Sequence, residues 1–271
     1  MSATLNPASH TRIVPGVIFD VRRPQRMLER SAMVYRKSWM ILVSGFFEPL
    51  FYLLSIRIGL SALVGDLEVD GRLVAYDQFV APGLMAASAM NGAVFDSTMN
   101  IFHKMKHSKL YDAVLATPMS AGDVAVGEIS FAVVRGALYS TAFMFTMLLM
   151  GMVDSWWIIM SVPACILIGF AFASIGMALT TFMRSWSDFE YVPAATLPLF
   201  LFSATFYPVS QYGDWSWAVQ LSPLYHGVEL VRASNLGQWS PSLLVNIAVL
   251  VGLSVVGMTV AARRIENTLL S

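Results

Sequence analysis

The stretch 78–109, QFVAPGLMAASAMNGAVFDSTMNIFHKMKHSK, joins a long apolar run to a group of lysines. A helix over 78–100 rises about 1.5 Å per residue and is therefore long enough to cross the roughly 30 Å of hydrocarbon in a bilayer. The lysines that follow, Lys104, Lys106 and Lys109, are typical of the cytoplasmic side of a membrane span. This stretch therefore predicts a membrane protein with a span that ends in the cytoplasm.

Other apolar runs of comparable length bring the predicted number of spans to six. We place them at about 39–60, 78–100, 127–151, 156–182, 191–207 and 243–262. Because lipid offers no hydrogen-bond partner to the backbone, the expected fold class is an all-α integral membrane protein. Its six-helix transmembrane domain comprises residues 38–271, after a cytoplasmic tail of residues 1–37.

Basic residues fall in alternate gaps between the spans, and this sets the expected orientation. Three of these residues are the lysines that follow the second span. The others precede the first span or follow the fourth and sixth spans, at Arg12, Arg22, Arg23, Arg26, Arg30, Arg36, Lys37, Arg184, Arg263 and Arg264. The remaining gaps contain only Arg72 and Arg232 as basic residues. By the positive-inside rule we expect both termini in the cytoplasm of a multi-pass protein of the cell membrane.

Composition agrees with a membrane location and excludes a nucleic-acid partner. The chain is 56% hydrophobic, only 13% charged and formally neutral, and its mean hydropathy is +0.64. A neutral chain this apolar offers no basic surface to nucleic acid. The partner that its composition predicts is the lipid bilayer.

Two segments outside the spans predict short helices on the cytoplasmic side. Over 24–37, apolar and basic residues fall on opposite sides of a helix, which is typical of a helix in the membrane interface. The positions of interest there are Arg26, Met27, Arg30 and Val34. The alternative is an ordinary basic flank of the first span.

The long second cytoplasmic loop, 101–126, predicts a helix over 109–116 that Thr117-Pro118 breaks. Ser120 and Asp123 then have the spacing of a capping box that opens a further short helix at the membrane surface. The alternative is a solvated connector.

The external segment 203–242 is rich in aromatic residues and predicts re-entrant or interfacial helices. Ser222-Pro223 opens a helical pattern that runs to about Ser234. Pro193 and Pro198 interrupt the fifth span, which we therefore expect to be short. The positions of interest are Phe206, Tyr207, Trp215, Pro223, Tyr225 and His226.

No catalytic or metal-binding pattern is present in the sequence. The dipeptide Gly-Lys is missing, so the chain has no P-loop for a nucleotide. No GxSxG elbow occurs, and His103 and His107 share a helix face without the glutamate of HExxH. We expect no catalytic residue, no metal site and no cofactor in this chain, so ATP hydrolysis would need another polypeptide.

Charged residues within the predicted spans are the strongest residue-level signal. Counted from the cytoplasmic edge, Glu48, Arg135 and Asp96 lie at depths of roughly 15, 12 and 6 Å. Such charges usually face a partner or a water-filled cavity. We predict that Arg135 pairs chiefly with Glu48, with Asp96 as the competing partner. The alternative is a direct role in a transport path.

Taken together, these features resemble the permease subunit of type-2 ABC exporters (ABC-2). The most specific stretches are LYDAVLATPMSAGDVAVGEI at 110–129 and SATFYPVSQYGDWSWAVQLSPLYHGVELVRA at 203–233. The stretch FVAPGLMAASAMNGAVFDSTMNIFHKM at 79–105 resembles the branch with nodulation lipo-oligosaccharide exporters and daunorubicin-type drug exporters. The resemblance covers nearly the whole chain.

The resemblance implies a bacterial, ATP-driven exporter that moves an amphiphilic drug, lipid or glycolipid outward. It implies two permease copies, as a homodimer or with a close paralogue, and two separate ATPase subunits that bind ATP and Mg. A coupling helix near 119–127 would contact the ATPase, with the interface helix as a second contact. The coupling residues so implied are Thr117, Pro118, Met119, Ser120, Ala121, Gly122, Asp123 and Glu128.

A different class of function stays open at this point. The alternative is an ion-coupled secondary transporter or an intramembrane enzyme that uses Glu48, Asp96 and Arg135.

Overall fold

The computed structural model describes Phe47 and residues 50–69, 71–107, 110–117 and 120–269. The predicted interface-helix residues Arg26, Met27, Arg30 and Val34 lie outside these described residues. So do Glu48, Pro118 and Met119, and the predictions made for them stay predictions.

The described chain consists of nine helices and one β-hairpin, with bounds α1 Leu50–Val64, β1 Asp66–Val69, β2 Arg72–Ala75, α2 Tyr76–Phe95, α3 Leu110–Leu115, α4 Ala121–Leu149, α5 Ser161–Thr180, α6 Tyr191–Leu201, α7 Ser216–Gln220, α8 Pro223–Leu236 and α9 Ser242–Leu269. Two π-helical segments, Asp96–Asn100 and His103–His107, prolong α2. Short 3₁₀ helices are found at Trp156–Met160, Trp186–Glu190 and Val209–Trp215.

Three helical segments of the described chain are long and apolar enough to cross a bilayer, Gly122–Leu149, Trp156–Thr180 and Ser242–Glu266. They contain the third, fourth and sixth predicted spans almost in full. The chain is accordingly a multi-pass membrane protein. The described part of α1 is apolar but shorter, and the total of six spans stays a prediction.

The fifth predicted span, 191–207, is too long. Helix α6 ends at Leu201, because Phe202 leaves helical geometry with φ −107° and ψ 40°. Ala204 then adopts a positive φ of 56°, which an α-helix cannot contain. With the 3₁₀ helix before it, α6 reaches about 26 Å, slightly less than the hydrocarbon thickness.

Helix α4 begins earlier than the predicted third span. The Ser120–Asp123 capping box that the sequence predicts is present, and it opens a helix that continues without a break from Ala121 to Leu149. The expectation of a separate short helix before a span at 127 is therefore wrong in the described residues, because nothing in this stretch interrupts the backbone hydrogen bonds. Helix α3, in contrast, matches the predicted helix over 109–116.

The all-α expectation misses one element, an antiparallel hairpin between α1 and α2. In its register Val69 pairs with Arg72, so the connecting loop has two residues. The loop sequence is Asp-Gly, a hairpin signal, and Gly71 has the positive φ of 77° that such turns require. Arg72 Nη2 lies 3.5 Å from Asp154 Oδ2, which ties the hairpin to the end of the α4–α5 connection.

Helix α5 lies at the centre and contacts α2, α4, α8 and α9. Small residues allow this close packing, as is usual between membrane helices. A Cβ on Gly257 of α9 would lie 2.7 Å from the carbonyl carbon of Ser174 on α5. On the opposite side, Thr180 Oγ1 donates a hydrogen bond of 2.9 Å to Ser97 O, immediately after α2. This contact supports the backbone beside Asp96.

Candidate functional site

A buried ion pair joins Asp96, directly after α2, to Arg135 in α4. Arg135 Nη2 lies 2.5 Å from Asp96 Oδ1, and the two side chains are only 9% and 7% exposed. Asp96 is therefore a partner of Arg135. It is the residue that the sequence indicates as the competitor of Glu48 for this pairing. The predicted pairing of Arg135 with Glu48 involves a residue outside the described range and stays a prediction.

A second ion pair lies closer to the start of α4, and the sequence analysis missed it. Lys104 Nζ lies 2.6 Å from Glu128 Oε2, with side chains 18% and 3% exposed. The sequence assigned Lys104 only to the basic side of the membrane and Glu128 only to the coupling segment. The order of the charges is a partial signal, because an acidic and then a basic residue in each segment would pair across two antiparallel helices. The unequal spacing, eight residues in one segment and seven in the other, hides it.

The π-helical segments explain how both pairs form on the same side of α2. Asp96 and Lys104 are eight residues apart, whereas Glu128 and Arg135 are seven apart. On a regular α-helix an eight-residue separation overshoots two turns by about 80°. Each of the two α2 partners begins or lies within a π-helical segment, whose wider turn takes up extra residues. Segments of this kind frequently occur at functional sites.

A small cavity lies between the two ion pairs. It is lined by Asp96, Ser97, Asn100 and Glu128 together with apolar residues, and its volume of about 10 Å³ is close to that of one water molecule. Glu128 Oε1 is buried there and accepts no hydrogen bond from the described residues. We call the two pairs Asp96–Arg135 and Lys104–Glu128 the α2–α4 ion pairs.

The described coupling residues implied by the resemblance, apart from Glu128 itself, lie just before these ion pairs. Ser120 caps α4, with its backbone N–H donating to Asp123 Oδ2 at 2.9 Å and its hydroxyl accepting from the Asp123 N–H at 3.1 Å. Thr117 Oγ1 donates to Val114 O at 2.6 Å and closes α3. Ala121 and Gly122 form the first turn of α4. From this turn to Glu128 is about 10 Å along the helix.

The aromatic residues of the segment 203–242, which the sequence predicts to be external, lie at the other end of the helices. Pro223 is at the first position of α8, after Ser222, as the sequence predicts. His226 Nδ1 lies 2.7 Å from Asn246 Oδ1, which joins α8 to α9. Tyr225 contacts the ring of His226, Phe206 contacts Phe200, and Tyr207 and Trp215 are exposed. The structure therefore separates these residues from the α2–α4 ion pairs.

Arg232 in α8 is the buried centre of this end of the helices, a role that its position in the sequence does not predict. Its Nη2 donates to Ala204 O at 2.6 Å, its Nε to Phe79 O at 3.4 Å, and its Nη1 pairs with Glu229 at 2.8 Å. The guanidinium carbon also lies 3.9 Å from the centre of the Phe79 ring. One side chain thus joins α8, the start of α2 and the turn after α6.

The described residues include no group of three or more His, Cys, Asp and Glu side chains able to hold a metal ion. The chemistry of the site is that of paired charges buried between helices.

A model of the ABC-2 type transporter family matches residues 25–236 of the chain. The chain belongs to the ABC-2 type transporter family. It is a membrane component of a transporter, and members of this family work with an ABC ATPase subunit.

Relatives within the ABC-2 type transporter family are similar over most of their length. The chain is 30% identical to Nodulation protein J of Sinorhizobium fredii over 245 residues, which are 89% of this chain and 92% of the relative. It is 29% identical to Nodulation protein J of Rhizobium leguminosarum bv. viciae over 224 residues, covering 82% and 85% of the two chains.

Proposed function

We propose that this chain is the permease subunit of an ATP-driven exporter that moves an amphiphilic drug, lipid or glycolipid outward. The observation that carries the proposal is the course of α4. This helix starts at the Ser120–Asp123 cap, where the ATPase would bind, and continues unbroken to Glu128 and Arg135 within the protein core. A displacement of its first turn by the ATPase would therefore be transmitted along the helix to the buried ion pairs.

The energy source in this proposal is a separate ATPase. The sequence contains no P-loop, so ATP and Mg would be bound by the partner, in two copies per transporter. The segment 117–128 would be the main contact with each ATPase, and the predicted interface helix with Arg26, Met27, Arg30 and Val34 would be the second. The capped helix start supports a fixed contact surface, since both ends of the capping box are hydrogen-bonded.

A second permease copy, identical or a close paralogue, is part of the proposal. The groove between α1, α2, α4 and α6 is lined by residues such as Tyr52, Ser88, Asn91, Phe143 and Phe200, and its volume is about 30 Å³. Pockets that enclose drug-sized ligands have about 300–1,000 Å³. A path wide enough for an amphiphile would therefore form between two copies rather than inside one.

The proposed membrane arrangement keeps six spans, with both termini in the cytoplasm of a bacterial cell. The segment from the end of α6 to α8 would lie at the external surface, where aromatic residues are favoured at headgroup depth. Its exposed aromatic side chains support this position, in particular Tyr207, Trp215 and Trp217.

An ion-coupled carrier or an intramembrane enzyme has weaker support. The carboxylate of Asp96 is already paired with Arg135 at 2.5 Å, so its charge is accounted for by a structural partner. Family membership also favours a transporter powered by an ATPase.

The test is transport by the chain expressed together with the ATPase that co-purifies with it, in inverted membrane vesicles. Daunorubicin and a fluorescent short-chain phosphatidylethanolamine serve as probes. We expect ATP-dependent accumulation of at least one probe, and its loss in an Ala121→Arg variant. The matched control is Leu149→Arg, at the far end of α4, where a charge cannot block ATPase contact. If no ATPase co-purifies, or if Ala121→Arg transports normally, the proposal is wrong.

A further inference from the structure

The α2–α4 ion pairs form two cross-links between the same two segments. Lys104 pairs with Glu128, and Asp96 pairs with Arg135 seven residues further along α4. The two cross-links are therefore about 10 Å apart along the helix axis. A single ion pair would allow the helices to pivot about it, whereas two separated pairs resist both pivoting and sliding.

Burial makes these cross-links hard to open. The Glu128 and Asp96 side chains are 3% and 7% exposed, and Arg135 is 9% exposed. Separating either pair would leave an uncompensated charge inside the protein, which is strongly unfavourable. The pairs flank a water-sized cavity that apolar side chains from both segments also line, among them Ile101 and Ile129. The ion pairs are therefore the charged cross-links within an otherwise apolar contact between the two segments.

The two segments have different connections. At its start, α4 carries the Ser120–Asp123 cap, the surface proposed to contact the ATPase. The α2 extension instead leads back through α2 to Phe79, which Arg232 contacts at the external end. Any force that enters at the start of α4 and reaches the external end through α2 has to cross between the two helices.

We propose that Lys104 and Glu128 are positioning residues that make the cytoplasmic half of α2 follow α4 during the transport cycle, with Asp96–Arg135 as the second cross-link. This inference rests on the proposed function and adds to it the route by which movement leaves the coupling segment. In this inference Lys104 acts through Glu128.

A purely structural role predicts a different result when both charges are removed together. The double variant Lys104→Gln/Glu128→Gln removes both charges of this pair together, so neither is left without the other, and we expect it to fold and assemble with the ATPase. A structural role then predicts unchanged movement of α2. The proposal predicts that α2 no longer follows α4 although both helices are intact.

The experiment follows each helix with its own reporter in the complex with the ATPase. The buried Cys165 is replaced by alanine, and a bimane label is attached either to Phe95→Cys at the end of α2 or to Leu138→Cys on α4, both exposed positions. Bimane emission is compared before and after ATP and vanadate are added. In the protein with both native charges, we expect both reporters to respond.

In Lys104→Gln/Glu128→Gln, the α4 reporter should respond as before, while the α2 response should fall about fivefold or more, the lower end of typical coupling between sites. Restoring opposite charges in Lys104→Glu/Glu128→Lys should recover part of the α2 response. An α2 response in the double variant equal to that with native charges would overturn the inference and leave the proposed function intact.

The matched control is Arg72→Gln/Asp154→Gln, which removes an exposed ion pair between other segments. We expect both reporters to respond in this control as they do with native charges, and an equal loss of the α2 response there would overturn the inference. If neither reporter responds to ATP even with all native charges, the proposed function and the inference that rests on it both fail.

Discussion

Arg135 and Asp96 lie in consecutive long helices of the chain and pair at 2.5 Å, with both side chains less than one-tenth exposed. Removing one partner of a buried pair leaves the other charge without compensation and typically costs about 3–5 kcal/mol. The guanidinium and the carboxylate should therefore depend on each other for stability.

We expect Arg135→Gln or Asp96→Asn to lower the melting temperature in detergent, and Asp96→Asn/Arg135→Gln to recover part of the loss. The coupling energy of this double-mutant cycle is the measurement. The control is Arg72→Gln, from an exposed pair that should contribute about 1 kcal/mol or less. Strictly additive losses for Asp96 and Arg135 would contradict their pairing.

The prediction that Glu48 is the chief partner of Arg135 has its own test. If it holds, Glu48→Gln should lower the melting temperature as much as Arg135→Gln, and the exchange Glu48→Arg with Arg135→Glu should recover part of that loss. If Glu48→Gln has no effect on the melting temperature, Asp96 is the principal partner.

Arg232 should be the most sensitive residue at the end of the helices where α8 meets the start of α2. Arg232→Gln would leave the carbonyl groups of Phe79 and Ala204 without their donor and Glu229 without its cation. We expect a loss of about 3–5 kcal/mol in thermal unfolding. The control is Arg57→Gln at an exposed position of α1, and an equal loss there would contradict a specific role for Arg232.

Ala204 offers a complementary test of the same turn. Its φ of 56° is unfavourable for alanine and ordinary for glycine. Ala204→Gly should therefore be neutral or raise the melting temperature, although glycine usually destabilises. A clear destabilisation would show that the alanine methyl group contributes packing that outweighs the backbone strain.

The close approach of α5 and α9 predicts opposite outcomes for two glycines of one helix. A Cβ on Gly257 would lie 2.7 Å from the backbone of Ser174, whereas a Cβ on Gly252 would meet nothing within 4 Å. Gly257→Ala should cost about 1–3 kcal/mol through overpacking. Gly252→Ala should be neutral or stabilising by up to about 1 kcal/mol. Equal melting temperatures for the two variants would contradict the packing.

The purified chain should have no ATPase activity of its own, because its sequence contains no P-loop. The measurement is phosphate release by a preparation that mass spectrometry shows to be free of other subunits. Hydrolysis by that preparation would refute the prediction.

Local signals in the sequence were sufficient for several helix ends. The Ser120–Asp123 cap and the start of α8 at Pro223 are both where the sequence places them, because each depends on residues within one helical turn. The hairpin signal Asp-Gly at 70–71 is equally local, but each strand beside it has only four residues, which is too short to give a clear alternating pattern. The end of α6 at Leu201 was misplaced because apolar residues continue to Tyr207 after the helix has ended.

Contacts between helices were harder to predict. Lys104 and Glu128 meet only because π-helical segments alter the register of the α2 extension, which simple helical periodicity does not contain. The sequence places Arg232 only in a helical segment between two spans. Its contacts come from segments that are 28 and 153 residues away in the sequence. Neither arrangement follows from patterns within a single helix.

The Asp96–Arg135 pair also bears on how the chain enters the membrane. During insertion by the translocon, a charged residue at the centre of a helix costs about 2.5–3.5 kcal/mol. Only the short α3 separates the α2 extension from α4. Helix α4, which contains Arg135, is therefore the next long helix to reach the bilayer after the one that ends beside Asp96. Each charge can therefore be neutralised as soon as the second helix emerges, before the rest of the chain has been synthesised. A ribosome-bound intermediate that ends shortly after α4 should already resist extraction by alkaline carbonate, and Asp96→Asn, which leaves Arg135 without this partner, should weaken that resistance.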